Sequence, residues 1–259
     1  MIFVDTHCHL DDDKLKGDLD EVVRKFRAAN VGIVIDVGCD VKSSELVKEQ
    51  AEKYDGVYFA AGIHPSDVKN ADLSDLDGIA EIAKHEKCVA IGEIGLDYFW
   101  DKSFNDKQKE FFVRQIRLAD GLGLPINIHI RDAMADAVEI LKDNKAYLRN
   151  GGVMHCYSGS AETAKELLKL GMYFSFGGTL TFKNARVAPA VAQSLPADRI
   201  LTETDSPYLA PEPKRGTVNS PENIPLIVAR LAEIRGETAE NIARTVYSNT
   251  LALFKKIRA

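Results

Sequence analysis

What this sequence has little of narrows its possibilities first. No apolar stretch approaches the ~20 residues that a membrane span needs. The short apolar start, Ile2 to Val4, is broken almost at once by Asp5 and His7, unlike a secretion signal. Cysteines are few: Cys8, Cys39, Cys88 and Cys156 stand singly beside or within apolar runs, with no CxxC pair. That argues against a disulfide framework and a thiolate zinc site, and predicts buried thiols in a reducing, cytoplasmic setting. An excess of positive charge is also missing. The 33 basic side chains against 39 acidic ones give a formal net charge of −6, which argues against a broad nucleic-acid-binding surface. A local basic patch, or bound cations, could still hold a phosphate. There is no internal repeat, low-complexity tract or linker, so residues 1–259 are expected to form one domain.

What the chain does have is a regular alternation. Eight short runs rich in Val, Ile, Phe or Tyr recur: IFV (2–4), GIVIDVG (32–38), VYFAAG (57–62), CVAIGE (88–93), LPINIHI (124–130), GVMHC (152–156), MYFSF (172–176) and RILTET (199–204). Each is too short for a core helix and reads as a strand. Between them apolar residues recur at helical spacing, as in Leu19, Val22, Val23 and Phe26 after Asp18, or Phe111, Phe112, Ile116 and Ala119 in segment 106–122. Expected helix stops are Gly32 and the Gly123-Leu124-Pro125 corner. Eight strand–helix units in about 250 residues predict an α/β fold, a (β/α)8 TIM barrel, over the rival doubly wound open sheet.

The histidines decide between them. His7 and His9 end the first run, His64 follows the third, His129 ends the fifth and His155 the sixth; only His85 lies elsewhere, and it reads as a surface residue. Glu93 ends run four and Asp205 follows run eight. Parallel barrel strands place all their C-terminal ends on one rim, where barrel active sites form. Strand alternation puts His7 and His9 on one face with Asp5, and Cys8 on the other; Glu203 and Asp205 likewise share a face. So many ionisable groups on one rim would be costly to bury without a cation.

Two divalent ions use this ligand set fully. Glu93 is the expected bridge, His7, His9 and Asp205 hold one ion, and His129 and His155 hold the other. Asp5 is expected to orient an imidazole from behind. Zinc, manganese or iron suits imidazole and carboxylate donors; magnesium, also a candidate, prefers oxygen donors and keeps waters.

At this point the motifs "DTHCHLD", "GIHP", "GEIGLDY", "HIRDA", "HCYSG", "GGTLTFKNA" and "ETDSPYLAP" resemble, in order, those of the TatD family of metal-dependent deoxyribonucleases. The resemblance covers essentially the whole chain. It implies a TIM-barrel hydrolase of the amidohydrolase kind, with DNA as substrate and, in several members, 3′-to-5′ exonuclease action. Carried over by position, the metal residues are His7, His9, Glu93, His129, His155 and Asp205, with His64 and Arg131 near the scissile phosphate. One departure concerns the substrate. Where relatives often carry a more basic RGKRNEP-like segment, residues 215–221 read "RGTVNSP", losing positive charge at the site mouth.

The expected chemistry is phosphodiester hydrolysis by water that the divalent ions activate. Asp205 is the candidate general base, and Glu203 supports it or serves as a hydrogen-bonded core acid. Arg131, sharing parity with His129, reaches inward to grip phosphate. Tyr98 and Trp100, with Phe99 between them, offer faces on which the bases of single-stranded DNA could stack, or else cap the barrel. Lys183, Arg186, Lys214 and Arg215 could supply a local basic patch. Two rival readings remain. One is hydrolysis of a small-molecule ester, amide or phosphotriester at the same centre; the other is a non-catalytic, metal-containing scaffold.

Overall fold

The computed structural model describes residues 1–258. Eight parallel strands pair in chain order: β1 (Phe3–Cys8), β2 (Val31–Val37), β3 (Val57–Ala61), β4 (Cys88–Asp97), β5 (Ile126–Arg131), β6 (Gly152–Met154), β7 (Met172–Phe176) and β8 (Ile200–Thr202). The seam between β8 and β1 is closed by single bonds. The Asp205 amide donates to the His7 carbonyl (2.9 Å) and the His9 amide to the Ser206 carbonyl (2.8 Å). The Thr6 hydroxyl donates to the Thr202 carbonyl (3.0 Å). The expected (β/α)8 barrel is therefore present, and the open sheet is not.

Helices alternate with the strands: α1 (Leu19–Ala28), α2 (Val41–Lys53), α3 (Asp75–Ile82), α4 (Asn105–Leu122), α5 (Met134–Asp143), α6 (Ala161–Leu168) and α7 (Val187–Ser194), with α8 (Ile224–Arg235) and α9 (Ala239–Leu253) after β8. They explain the unbroken apolar runs, because strands such as β1 and β4 are buried along their whole length. Among the described residues, no helix is long and apolar enough to cross a membrane.

Local chemistry sets the boundaries. Gly123 ends α4 in the left-handed conformation (φ 69°), as its lack of a Cβ permits. The end of α1 differs from expectation. Asn30, not Gly32, takes the left-handed turn (φ 61°), which its short amide side chain tolerates, and Gly32 already belongs to β2. The fourth strand also outruns its apolar run by four residues. Glu93 therefore lies within β4, not at its end, and the register with β5 slips between Ile91 and Ile94, around that carboxylate.

Candidate metal centre

Glu93 is the hub. It is almost fully buried, and its two carboxylate oxygens face two different groups of imidazoles. Oε2 lies 3.4 Å from His7 Nε2 and 3.6 Å from His9 Nε2; Oε1 lies 2.8 Å from His129 Nδ1 and 2.9 Å from His155 Nε2. Asp205 Oδ1 completes the first group, 3.8 Å from His7 Nε2 and 3.6 Å from His9 Nε2. Asp205 takes a left-handed backbone (φ 55°), which turns the chain sharply just past β8.

The second nitrogen of each imidazole explains how the rings are aimed. His7 Nδ1 meets Asn127 Oδ1 (3.2 Å), and His9 Nδ1 meets the Val37 carbonyl (2.9 Å). His129 Nε2 meets Asp97 Oδ2 (3.2 Å), and His155 Nδ1 faces Glu203 Oε1 at 3.5 Å. Every outward partner is an oxygen that can only accept. The proton of a neutral ring therefore sits outward and the lone pair points inward. Inward nitrogens approach in pairs, His7 Nε2 to His9 Nε2 and His129 Nδ1 to His155 Nε2, each at 3.2 Å. Lone pairs held that close repel unless a cation lies between them. The donor set fits divalent metal.

Electrostatics point the same way. Burial alone would lower the pKa values of His9, His129 and His155, but the neighbouring side chains of each overcome it and raise all three. For His9 these are Cys39, Asp205 and Glu93; for His129, Asp97 and Glu93; for His155, Glu93 and Glu203. Burial would raise Glu93, yet the surrounding His155, His64, His7 and His129 hold it well below the usual range. The centre attracts positive charge.

His64 is different. Its Nδ1 accepts the Ser66 amide proton (3.1 Å), so a neutral ring carries its hydrogen on Nε2, 3.7 Å from Glu93 Oε1. Burial drives its pKa down to about 3. His64 presents a neutral N–H donor, which suits contact with a substrate oxygen better than ligation.

Above these groups opens a cavity of about 570 Å³, of a size with small-ligand sites. Six acids line it, Asp11, Asp12, Asp67, Glu93, Asp97 and Asp205, against one arginine, Arg131. Among the described residues no carboxylate pairs with Arg131; its guanidinium lies 3.6 Å from the Phe99 ring centroid and 5.3 Å from that of Trp100. Trp100 is 71% exposed at the mouth.

Three expectations need correction. Asp5 orients no imidazole. The β1 register shifts between Asp5 and Cys8, and the Asp5 carboxylate accepts from the Thr204 amide and hydroxyl and from the His7 amide. Tyr98 is no stacking face: its hydroxyl donates to Asp136 at the start of α5 (2.8 Å), and it does not line the cavity. Nor does Glu203 reach the cavity beside Asp205. Strand β8 stops at Thr202, so alternation does not extend to them, and fully buried Glu203 sits behind His155, accepting the Cys156 amide (2.6 Å). The core-acid reading fits it.

Among the cysteines, Cys8 turns away from the site to the Ile35 carbonyl as expected, whereas Cys39 lines the cavity. His85 lies apart, 3.2 Å from Glu52. Lys183, Arg186, Lys214 and Arg215 do not line the cavity; Lys214 pairs with Glu222, and Arg215 stacks on Phe182. Two residues that sequence reasoning passed over, Asp97 and Asn127, hold imidazoles from behind. Both have the parity of a neighbour already singled out, Asp97 that of Glu93 and Asn127 that of His129.

An eight-stranded parallel barrel with imidazoles and carboxylates converging at its C-terminal rim defines the class: a (β/α)8 protein built around a metal centre. The chain belongs to the TatD family of metal-dependent hydrolases; the family described as TatD related DNase matches residues 4–255. The chain is 46% identical to YabD of Bacillus subtilis (strain 168), described as an uncharacterized metal-dependent hydrolase, over 98% of this chain and 99% of that protein. To YcfH of Escherichia coli (strain K12), described in the same words, it is 37% identical over 98% and 96%. The crystal structure of YjjV, a TatD homologue from Escherichia coli K12, superposes with a TM-score of 0.93 at 32% identity, covering 98% of both chains.

Proposed function

We propose that this protein is a metal-dependent deoxyribonuclease that trims DNA from single-stranded 3′ ends. The observation that carries the reading is the split carriage of Glu93, one oxygen toward His7 and His9 and the other toward His129 and His155. His7, His9, Asp205 and Glu93 would hold one divalent ion, and His129, His155 and Glu93 the second. Bound there, the ions supply an activated water and neutralise phosphoryl charge. Zinc, manganese and magnesium are the candidates.

The chain's own groups do the rest. Asp205, whose Oδ1 lies within 4 Å of the Nε2 atoms of His7 and His9, would take the proton of the attacking water. His64 offers its Nε2–H to a phosphate oxygen. Arg131 grips the same or the next phosphate with its fork of donors, while Trp100 gives an open ring face to a base. Four free thiols fit a reducing compartment, the cytoplasm.

The acidic wall favours a second reading, hydrolysis of a small neutral ester or phosphotriester, because six acids repel a polyanion wherever cations do not cover them. A metal-supplemented assay on 3′-labelled single-stranded DNA, beside a panel of small esters, amides and phosphotriesters, separates the two. Progressive 3′ shortening, abolished by chelator and by Asp205→Asn, supports the nuclease. Turnover of small esters alone supports the second reading. Inactivity on every substrate, with metal bound, would leave the scaffold.

A further inference from the structure

The two ion positions are not built alike. Around Asp205, the imidazoles of His7 and His9 are backed by neutral oxygens, the Asn127 amide and the Val37 carbonyl, and the position already has a carboxylate ligand of its own. Among the described residues, the shared Glu93 is the one carboxylate that faces the inward nitrogens of His129 and His155. There the anionic groups lie one layer back, and Asp97 is the one in hydrogen-bond contact, with His129 Nε2.

Asp97 is itself pinned. Its second oxygen accepts the Phe99 amide (2.9 Å), and its backbone is clasped on both sides by the Gln108 side chain of α4 (2.9 and 3.0 Å). A carboxylate fixed this firmly can only receive a proton from Nε2, so the lone pair of His129 must emerge at Nδ1. The geometry makes His129 the odd member of the four: His7, His9 and His155 turn Nε2 to Glu93, and His129 turns Nδ1.

Resting on the metal reading above, we propose that Asp97 is the positioning residue of the second ion, selecting the Nδ1-ligating tautomer of His129 and adding negative charge to that position beyond the shared Glu93. Asn in place of Asp97 would still accept the Phe99 amide through its oxygen. Its NH2 would then face Nε2, favouring the opposite tautomer and placing a proton where the ion should bind. Loss of such an outer partner typically weakens metal affinity about 10–100-fold.

The test is manganese titration of metal-free wild-type protein and Asp97→Asn by calorimetry, with NMR of nitrogen-labelled, cadmium-loaded wild-type protein. The expected results are two ions in the wild type, one of them weakened about 10–100-fold in the variant with the other unchanged, and cadmium coupling to His129 through Nδ1. Asp97→Glu, which restores an acceptor, should recover the lost affinity. Two ions held at unchanged affinity in Asp97→Asn, equal weakening of both, or coupling through His129 Nε2 would overturn this assignment alone. Wild-type protein that takes up no ion would overturn the metal reading with it. The NMR arm needs no variant, so a failure of Asp97→Asn to fold leaves the assignment open to refutation.

Discussion

Gly95 and His129 face each other backbone to backbone across the β4–β5 pair, and a Cβ on Gly95 would overlap the His129 carbonyl oxygen. Gly95 also holds φ at 142°, a conformation L side chains rarely adopt. Two residues earlier in the same strand is Glu93, so this close approach fixes the distance between the hub carboxylate and an imidazole. Gly95→Ala should therefore cost on the order of 3 kcal/mol in stability, from strain and overlap together, measurable as a lowered denaturant midpoint. A midpoint within experimental error of wild type would contradict the packing described.

His129→Ala removes a side chain that lines the open cavity, together with its contacts to Glu93 and Asp97 of β4. Elemental analysis after loading should find one ion fewer per chain, with circular dichroism unchanged and hydrolysis reduced by roughly 100-fold or more. Unaltered stoichiometry would remove His129 from the ligand set.

The raised pKa values of His9, His129 and His155 set a pH dependence with a definite sign. In metal-free protein these rings bind protons more tightly when folded than when unfolded. Their stabilising contribution is fully present below the ordinary value of 6.5 and is lost as pH rises through the raised values. Chelated protein should thus melt at progressively lower temperature above that point. Divalent ions compete for the same nitrogens, so ion affinity should move the other way, tightening about tenfold per pH unit for each proton displaced. Affinity independent of pH would show that no proton is exchanged.

On the proposed nuclease reading, contacts to DNA divide along exposure. Trp100→Ala should raise KM for single-stranded DNA by roughly 5- to 150-fold, the range of one lost base stack. Arg131→Ala should raise it by about 10–100-fold, the range of one lost hydrogen bond to a charged group. Tyr98→Phe should leave KM unchanged and cost about 1 kcal/mol in stability, the Asp136 hydrogen bond. Steady-state kinetics on all three, with thermal melts, checks the contrast; a KM effect in Tyr98→Phe would return that residue to the site.

By itself the sequence determined the barrel and the gathering of histidines. Both rest on local periodicity: short β-branched runs set the strands, and residues placed at the ends of parallel strands must share a rim. His7, His9, His129, His155, Glu93 and Asp205 were legible for that reason. What only the tertiary structure decided lies where periodicity stops. The register shifts in β1 and around Glu93, and the end of β8 at Thr202, break the alternation from which Asp5 and Glu203 had been assigned. The tie of Tyr98, just past β4, to Asp136 on α5 joins positions 38 residues apart in the chain. Asp97 lies four residues past the apolar run that marked its strand. Which nitrogen of each ring faces inward follows from the acceptor behind it; Val37 and Asp97 reach the imidazoles from neighbouring strands and Asn127 from across the barrel, through contacts that no linear pattern encodes.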